Sequence, residues 1–289
     1  MRLNPKSKYP IFVVFFSLWY TISMIITALV PAHTHDEHYL KQCIDSLLWC
    51  DKIIVLWMGG TKPIFLQNKK ISILEKKWDG PVFVRIQKAI NWAIENIQSD
   101  WYLRIDADEI VTAELAIEIQ KIAQQSKTWQ AYGIPRKQFF WGDFLKGGDW
   151  AYDRLVRLFK KGSAHYSEKN LVHEQLVVHG TIGYTTNALL HYSHPTLAVA
   201  MEKFNLYTSL EIQDIHASQF FAYLHMFCMP PYIFVRWLFW HHGYRDGIRG
   251  IVAAFMRAWY EFLLWAKYIE SIKQTPPGGV ELRPPGGTV

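Results

Sequence analysis

The sequence predicts an α/β fold with a mostly parallel central sheet and amphipathic helices toward its C-terminal end. Three observations carry that expectation. Apolar runs of strand length alternate with helical patterns over 24–125, as a parallel sheet with covering helices requires. One run, Trp101-Tyr-Leu-Arg-Ile105, stops abruptly at two carboxylates, Asp106 and Asp108, one residue apart. Beyond Leu197 the chain changes to long, aromatic-rich helical patterns.

Taken in order, a strand is expected over 24–30, a helix over 37–48, a second strand over 52–57, and a helix over 84–97 that leads into the strand 101–105. A further helix is expected over 114–125. Shorter strands broken by Gly and Asp follow over 132–140, 153–159, 171–178 and 182–191. Helices return over 197–213, 219–240 with an interruption at Pro230-Pro231, and 246–272. From Thr275 the Pro/Gly-rich chain is expected to be disordered. Residues 10–30 carry no charged side chain and follow Arg2, Lys6 and Lys8, which has the look of a signal-anchor helix. The same run passes without a linker into the first strand, and one segment cannot span lipid while its end pairs in a sheet. The domain is therefore placed from Met24. The organisation reads as a hydrophobic lead-in over 1–23, an anchor or a start-site extension, a catalytic domain over 24–195, a helical, membrane-associating region over 196–272 and a tail over 273–289.

Composition narrows the function classes. A hydrophobic content of 50% in 289 residues is ample for a core, so a disordered chain is excluded. The 13 Trp exceed what a core alone needs, which points some rings toward a sugar or a membrane interface. A net charge of +6 suits an anionic substrate or an anionic lipid surface. No Lys/Arg cluster or aromatic-basic motif stands out, which disfavours nucleic acid. Cys43, Cys50 and Cys228 lack metal-ligand spacing and read as reduced thiols.

In open α/β sheets the ligand crevice lies beyond the carboxyl ends of the strands, where Asp106 and Asp108 fall. Mg²⁺ or Mn²⁺ is usually held by one or two carboxylates and completed by phosphate oxygens, so the expected ligand is a nucleoside diphosphate. Alone, Asp-x-Asp is weak, since such a pair can equally cap the next helix. Its company is more specific. Ile25-Ile-Thr-Ala-Leu-Val-Pro31, Asp51-Lys-Ile-Ile-Val-Leu56, Asp100-Trp-Tyr-Leu-Arg-Ile-Asp-Ala-Asp-Glu109, Gly147-Gly-Asp-Trp150 with Arg154-Leu-Val-Arg-Leu-Phe159, Val172-His-Glu174 and Leu189-Leu-His-Tyr-Ser193 follow in order, joined by Gly243-Tyr-Arg-Asp-Gly247. In these stretches the chain resembles the family-two inverting glycosyltransferases of the GT-A fold, nearest the subgroup with the lipopolysaccharide-core β-glucosyltransferases.

That resemblance implies a Rossmann-like nucleotide-diphospho-sugar transferase fold and assigns roles. Asp106 and Asp108 would bridge the metal, Asp108 as the direct ligand, and His191 would contact the metal or the diphosphate. Gly147 and Gly148 resemble the loop that approaches the donor sugar, although bare Gly-Gly is also an ordinary turn. Glu174 occupies the family's base position, with Asp153 and Asp149 as runners-up. Arg154 and Arg157 could pair with phosphate, but strand alternation turns at most one of these two inward.

The departures are informative. Where relatives carry an acidic stretch, this chain has Trp57-Met-Gly-Gly-Thr-Lys62, so Trp57 is expected to stack on the nucleobase in place of a hydrogen bond. After the first strand stands His33-Thr-His-Asp36-Glu37, where Asp36 or Glu37 could contact uracil or cap a helix. In 248–269, Ile251, Phe255, Trp259, Phe262 and Ala266 recur at helical spacing beside basic residues, a pattern suited to an anionic bilayer or simply to covering the sheet. The resulting expectation is transfer of a hexose, glucose from a uridine diphosphate sugar, onto a lipopolysaccharide-core or other lipid-linked glycan at the cytoplasmic face of a bacterial inner membrane. The alternative is a degenerate domain acting as a non-catalytic partner in glycan assembly. A nucleotidyltransferase would need a Gly-rich phosphate loop that Pro31-Ala-His-Thr-His35 does not supply.

Overall fold

The computed structural model describes residues 24–125, 128–167 and 176–274. The lead-in 1–23, Glu174 and the tail from Thr275 lie outside the described residues. Strand β1 (Ile26–Ala32) is buried along its whole length, as a strand covered on both faces must be. It is followed by α1 (Glu37–Ser46), β2 (Lys52–Trp57), β3 (Ile71–Glu75), α2 (Val82–Asn96) and β4 (Trp101–Arg104). Then come β5 (Glu109–Ile110), α3 (Ala113–Gln125), β6 (Ala131–Phe140), β7 (Asp143–Phe144), β8 (Arg154–Lys160), β9 (Ala164–Tyr166) and β10 (Leu176–Val178). The chain continues through β11 (Ile182–Tyr184), β12 (Leu189–His194), α4 (Leu197–Glu211), α5 (Gln219–Val235) and α6 (Ile248–Gln274).

The sheet runs β3-β2-β1-β4-β8-β6-β12-β5. Strands β3, β2, β1 and β4 are mutually parallel, β8 opposes both β4 and β6, β12 is parallel to β6, and β5 opposes β12. The chain moves one way from β1 to β3 and then returns to the other side of β1 as β4. That reversal is a topological switch point, and it leaves a crevice beyond the carboxyl ends of β1 and β4. The α/β class, the Rossmann-like first half and the C-terminal helices all follow the expectation from sequence.

Alternation along the strands builds two layers. Ala28, Val30, Ile53, Val55 and Leu103 face Leu40 and Ile44 of α1, Leu47 just after it, and Leu115 and Ile119 of α3. Leu29, Ile54, Leu56 and Tyr102 face Ala89, Ile90, Ala93 and Ile94 of α2. Two aspartates fix where β1 begins: Asp100 accepts from the Ile25 amide at 2.7 Å and Asp51 from the Ile26 amide at 2.8 Å. A third core joins the C-terminal helices to the sheet, with Phe140 and Leu145 packed on Ala200, Phe204, Trp237 and Ala253.

Several elements differ from the sequence reading. The expected strand over 182–191 is two, β11 and β12, divided by a turn in which Glu118 accepts from the amides of Thr186 and Asn187. Strand β3 was not expected, and its residues are half-buried or exposed, as at a sheet edge. Of the strand expected over 171–178, Leu176–Val178 falls within the described residues and pairs with β9. Pro230-Pro231 do not interrupt α5. The helix carries through because α6 lies along it, Ala222 packing with Trp265, Tyr268 and Ile269, and the chain then widens into a π-helical turn over Arg236–Trp240. Helix α6 extends through Gln274, into the first two residues assigned to the tail.

Candidate functional site

Asp36 follows β1 and Asp106 follows β4, so the switch point brings acids 70 residues apart in sequence to one cleft of about 1180 Å³. Its walls also include Asp108, Asp149, Asp153 and His191. Six of the expected site residues therefore share one cavity.

Asp108 sits in the turn after β4. Its Oδ1 lies 3.4 Å from Nε2 of His191 on β12, and its Oδ2 lies 3.3 Å from Nζ of Lys203 on α4. Burial opposes ionisation of Asp108, but the His191 ring and the Lys203 ammonium outweigh it and hold the carboxyl far below the usual carboxylate range. Nδ1 of His191 is buried without a hydrogen-bond partner. Lys203 was missed from sequence. Burial works against its charge, yet Asp108 raises its pKa above the ordinary lysine value.

Asp106 is engaged differently. Arg104 donates to Oδ1 at 3.1 Å and Arg157 to Oδ2. Burial again opposes ionisation, and the two guanidiniums overcome it, so this carboxyl too is held well below its ordinary value. With both oxygens taken by guanidiniums, Asp106 is a hub for buried arginines. Glu109, fully buried, binds the same network: it accepts from the Asp106 amide at 2.9 Å, from Arg157 at 3.1 Å and from Arg136 at 3.2 Å. Arg136 and Gln138 reach on to Asp153, at 2.8 and 3.0 Å. Arg157 is thus the inward residue of its strand, whereas exposed Arg154 stands over the Tyr184 ring at 5.7 Å. Asp36 has a raised pKa because burial outweighs the hydrogen bond from the His33 amide, with the Asp108 charge adding to the rise.

Three expectations are corrected here. Trp57 is 1% exposed in the core under β2, with its indole N–H donated to the Gly60 carbonyl at 3.0 Å, so neither ring face is open to a nucleobase. Gly147 and Gly148 do not line the cleft. A Cβ at Gly147 would meet the His242 carbonyl oxygen at 2.2 Å, and one at Gly148 the Trp237 ring at 2.1 Å. These glycines admit the C-terminal segment rather than a sugar, and Asp246 completes the latch by accepting from the Lys146 and Gly147 amides at 3.0 Å. The Gly243-Tyr-Arg-Asp-Gly247 stretch is the other half of that latch. Gly148 also has φ +81°, so Gly148→Ala is expected to cost about 1–3 kcal/mol through overpacking and strain. Thermal unfolding checks this, and an unchanged midpoint would refute it.

Asp149, next in sequence, binds Arg236, and His241 Nδ1 lies 3.0 Å from its Oδ1 without hydrogen-bond geometry. Trp150 stacks on His194 at 4.9 Å between ring centroids, and desolvation first, then the Lys203 charge, lowers the His194 pKa to about 3.

The donor set suits a cation completed by phosphate oxygens. Asp108 Oδ1 and His191 Nε2 converge on one side of the cleft, while among the described residues no group of three or more His, Cys, Asp or Glu is placed to hold a metal ion unaided. Mg²⁺ is usually bound through one or two carboxylates, with substrate phosphates and waters completing its shell, and Asp108 supplies one such carboxylate.

No family model matches the chain. It is 26% identical over 242 residues to the lipopolysaccharide core biosynthesis glycosyltransferase LpsC of Rhizobium meliloti, covering 81% of this chain and 88% of that one. It is 25% identical over 250 residues to an uncharacterized glycosyltransferase of Rickettsia typhi, covering 82% and 84%. Among solved structures, the chain is similar to S. aureus TarS 1-349 (TM-score 0.41, 11% identity, 87% of this chain and 92% of that one). It is likewise similar to the mannosyltransferase PcManGT of Pyrobaculum calidifontis, solved with GDP-Man and Mn2+ (TM-score 0.42, 12% identity, 89% and 76%). The sequence resemblance to glycosyltransferases, taken from the first two relatives, extends over most of the chain, and glycosyltransferase activity is what it supports.

Proposed function

We propose that the chain is a metal-dependent, inverting family-two glycosyltransferase. It moves a hexose, with UDP-glucose as the first donor to test, onto a lipopolysaccharide-core or other lipid-linked glycan at the cytoplasmic face of a bacterial inner membrane. The observation that carries the reading is the convergence of Asp108 and His191 at the switch-point cleft, in a chain whose sequence relatives are glycosyltransferases. Asp108 and His191 would hold Mg²⁺ or Mn²⁺, which when bound offsets the negative charge on a departing diphosphate.

Inversion is a single displacement. The acceptor oxygen bonds to the anomeric carbon as the bond to the diphosphate oxygen breaks, and a carboxylate takes the acceptor's proton. Glu174 is the first choice of base, standing in sequence two residues before Leu176, which lines the cleft. Asp153 and Asp149 are the other choices, each held in contact with an arginine, Arg136 and Arg236. Lys203, Arg104 and Arg136 line the cleft with donors of the kind that bind phosphate, each also paired with an acid there, Asp108, Asp106 and Asp153. The linking of Asp149 to Arg236 and of the 146–148 loop to Asp246 supports treating 196–272 as a region that shapes the acceptor side of the cleft.

The test is binding and turnover of a panel of nucleotide sugars with and without Mn²⁺. Glu174→Gln is expected to keep donor binding and lose about 10²–10⁴-fold in turnover, with Asp153→Asn and Asp149→Asn less affected. Absence of donor binding under every metal condition would leave the non-catalytic assembly role as the better reading.

A further inference from the structure

The two C-terminal helices α5 and α6 form an antiparallel hairpin: Phe221 of α5 contacts Trp265 of α6 at one end, and the chain reverses over 236–247 at the other. Its outer side is apolar and uncovered. Along α5, Phe220, Leu224, Phe227, Tyr232 and Val235 fall on one helical stripe and are 44–79% exposed. Around the reversal, Phe239, Trp240, Tyr244, Ile248, Ile251 and Phe255 are 45–68% exposed. A patch of this size is more than scattered surface apolar residues explain. Of the α6 stripe expected from sequence, only Ile251 and Phe255 belong to it, since Trp259, Phe262 and Ala266 are half-buried.

We propose that the outer side of the α5–α6 hairpin, centred on its reversal, docks on an anionic lipid bilayer. Charge supports this occupant over others. The chain has no Asp or Glu between Gln219 and Tyr244. Asp246, the acid at the reversal, accepts from the Lys146 and Gly147 amides with its carboxylate. Asp143, beside Trp141, is paired with Arg249 at 3.4 Å, and the exposed Lys146 and Arg245 side chains leave the rim cationic on balance. Trp141, 42% exposed at φ +44°, stands beside this rim because Arg249 holds its carbonyl at 3.1 Å. Apolar side chains bounded by Trp, Tyr and basic residues match the layering of a bilayer surface. A second copy meeting the same face would set like-charged rims against each other, which headgroup phosphates would instead neutralise. Among the described residues no helix is long and apolar enough to cross a membrane, so the hairpin lies on the surface.

The proposal deepens the lipid-linked acceptor of the proposed function and rests on it for purpose: Arg236 and Trp237 of the same segment hold Asp149 and Gly148 beside the cleft. Vesicle binding needs neither donor nor acceptor, so its outcome is separable from that of the transfer assay.

The experiment is flotation of the full chain with phosphatidylcholine vesicles, with and without phosphatidylglycerol, at low and high salt. Expected is binding that favours phosphatidylglycerol and weakens with salt. A Trp240→Ser, Ile248→Ser, Phe255→Ser triple variant is expected to lose about ten-fold or more in partitioning while keeping its unfolding midpoint, because all three side chains are largely exposed. Arg245→Glu, which disturbs no packing, should reduce only the preference for phosphatidylglycerol and keeps the test intact should the triple variant misfold. Residues 1–23 are present in every variant. Binding unaffected by all these changes would assign it to that segment and overturn the proposal. So would a dimer, read by sedimentation, that the triple variant dissociates in a protein that ignores vesicles.

Discussion

Asp108→Ala is expected to abolish metal-stimulated donor binding and to lower transfer by about 10³-fold, the scale on which a preorganised electrostatic group acts. Asp106 has both oxygens bound by buried guanidiniums, while Asp108 turns one oxygen toward His191 Nε2 at 3.4 Å and the other toward Lys203 at 3.3 Å. Removing the Asp108 carboxylate leaves the Lys203 ammonium and the His191 ring facing each other with no anion between them. A cation then meets repulsion where it met attraction. Asp108→Asn keeps the shape and removes the charge, so it should lose cation affinity with little change in fold. Titration of Mn²⁺ into the two variants and the parent, read by donor binding, checks this. A variant that keeps metal-stimulated binding within ten-fold of the parent would move the cation site away from Asp108.

Arg157→Met is expected to destabilise the fold by about 3–5 kcal/mol, the cost of taking one charged partner out of a buried ion-pair network. Arg157 is 1% exposed and serves Asp106 and Glu109 together, and Glu109 is fully buried. For a domain of this size the unfolding midpoint should fall by about 10 °C, with insoluble expression as the extreme outcome. The loss should not equal that of Arg154→Met, since exposed Arg154 contacts only the Tyr184 ring at the cleft edge. Equal midpoints for the two variants would show that the buried network contributes little.

The same network fixes a pH dependence. The folded-state pKa values of Asp106 and Asp108 are depressed relative to the ordinary 3.8. Their stabilisation is therefore fully present above that value and is lost as pH falls below it toward the folded-state values. On top of a decline that begins near pH 6.5, where an unfolded histidine takes up a proton that buried His194 refuses until about 3, these two carboxyls should add a steeper fall of the unfolding midpoint below about pH 4. In Arg157→Met the Asp106 part of that decline should shrink, because Arg157 is one of the two guanidiniums that depress it.

The sequence by itself determined the parallel half of the sheet and the location of the cleft. Strand β2 runs over the residues expected of it, and α1, α2 and β4 differ by a residue or two at their ends. Those elements are legible because periodicity is local: a strand buried on both faces reads as a continuous apolar run, and its helices carry a 3.6-residue stripe. Asp106 and Asp108 were legible for the same reason, as polar residues that end such a run at the edge where ligands bind. The chain did not reveal partners drawn from distant elements. Lys203 reaches Asp108 across 95 residues and Arg157 reaches Glu109 across 48, and neither spacing has a signature in a single sequence. The tertiary structure also decided the fate of residues whose chemistry suits two roles. Trp57 went to the core because β2 is covered on both sides, and Gly147 and Gly148 serve a close approach by Trp237 and His242 rather than by a ligand. Pro230-Pro231 remain inside α5 because packing on α6 outweighs the two missing amide donors. In each case local chemistry set the options, and long-range packing, whose free energy comes from burial against elements far away in sequence, chose among them.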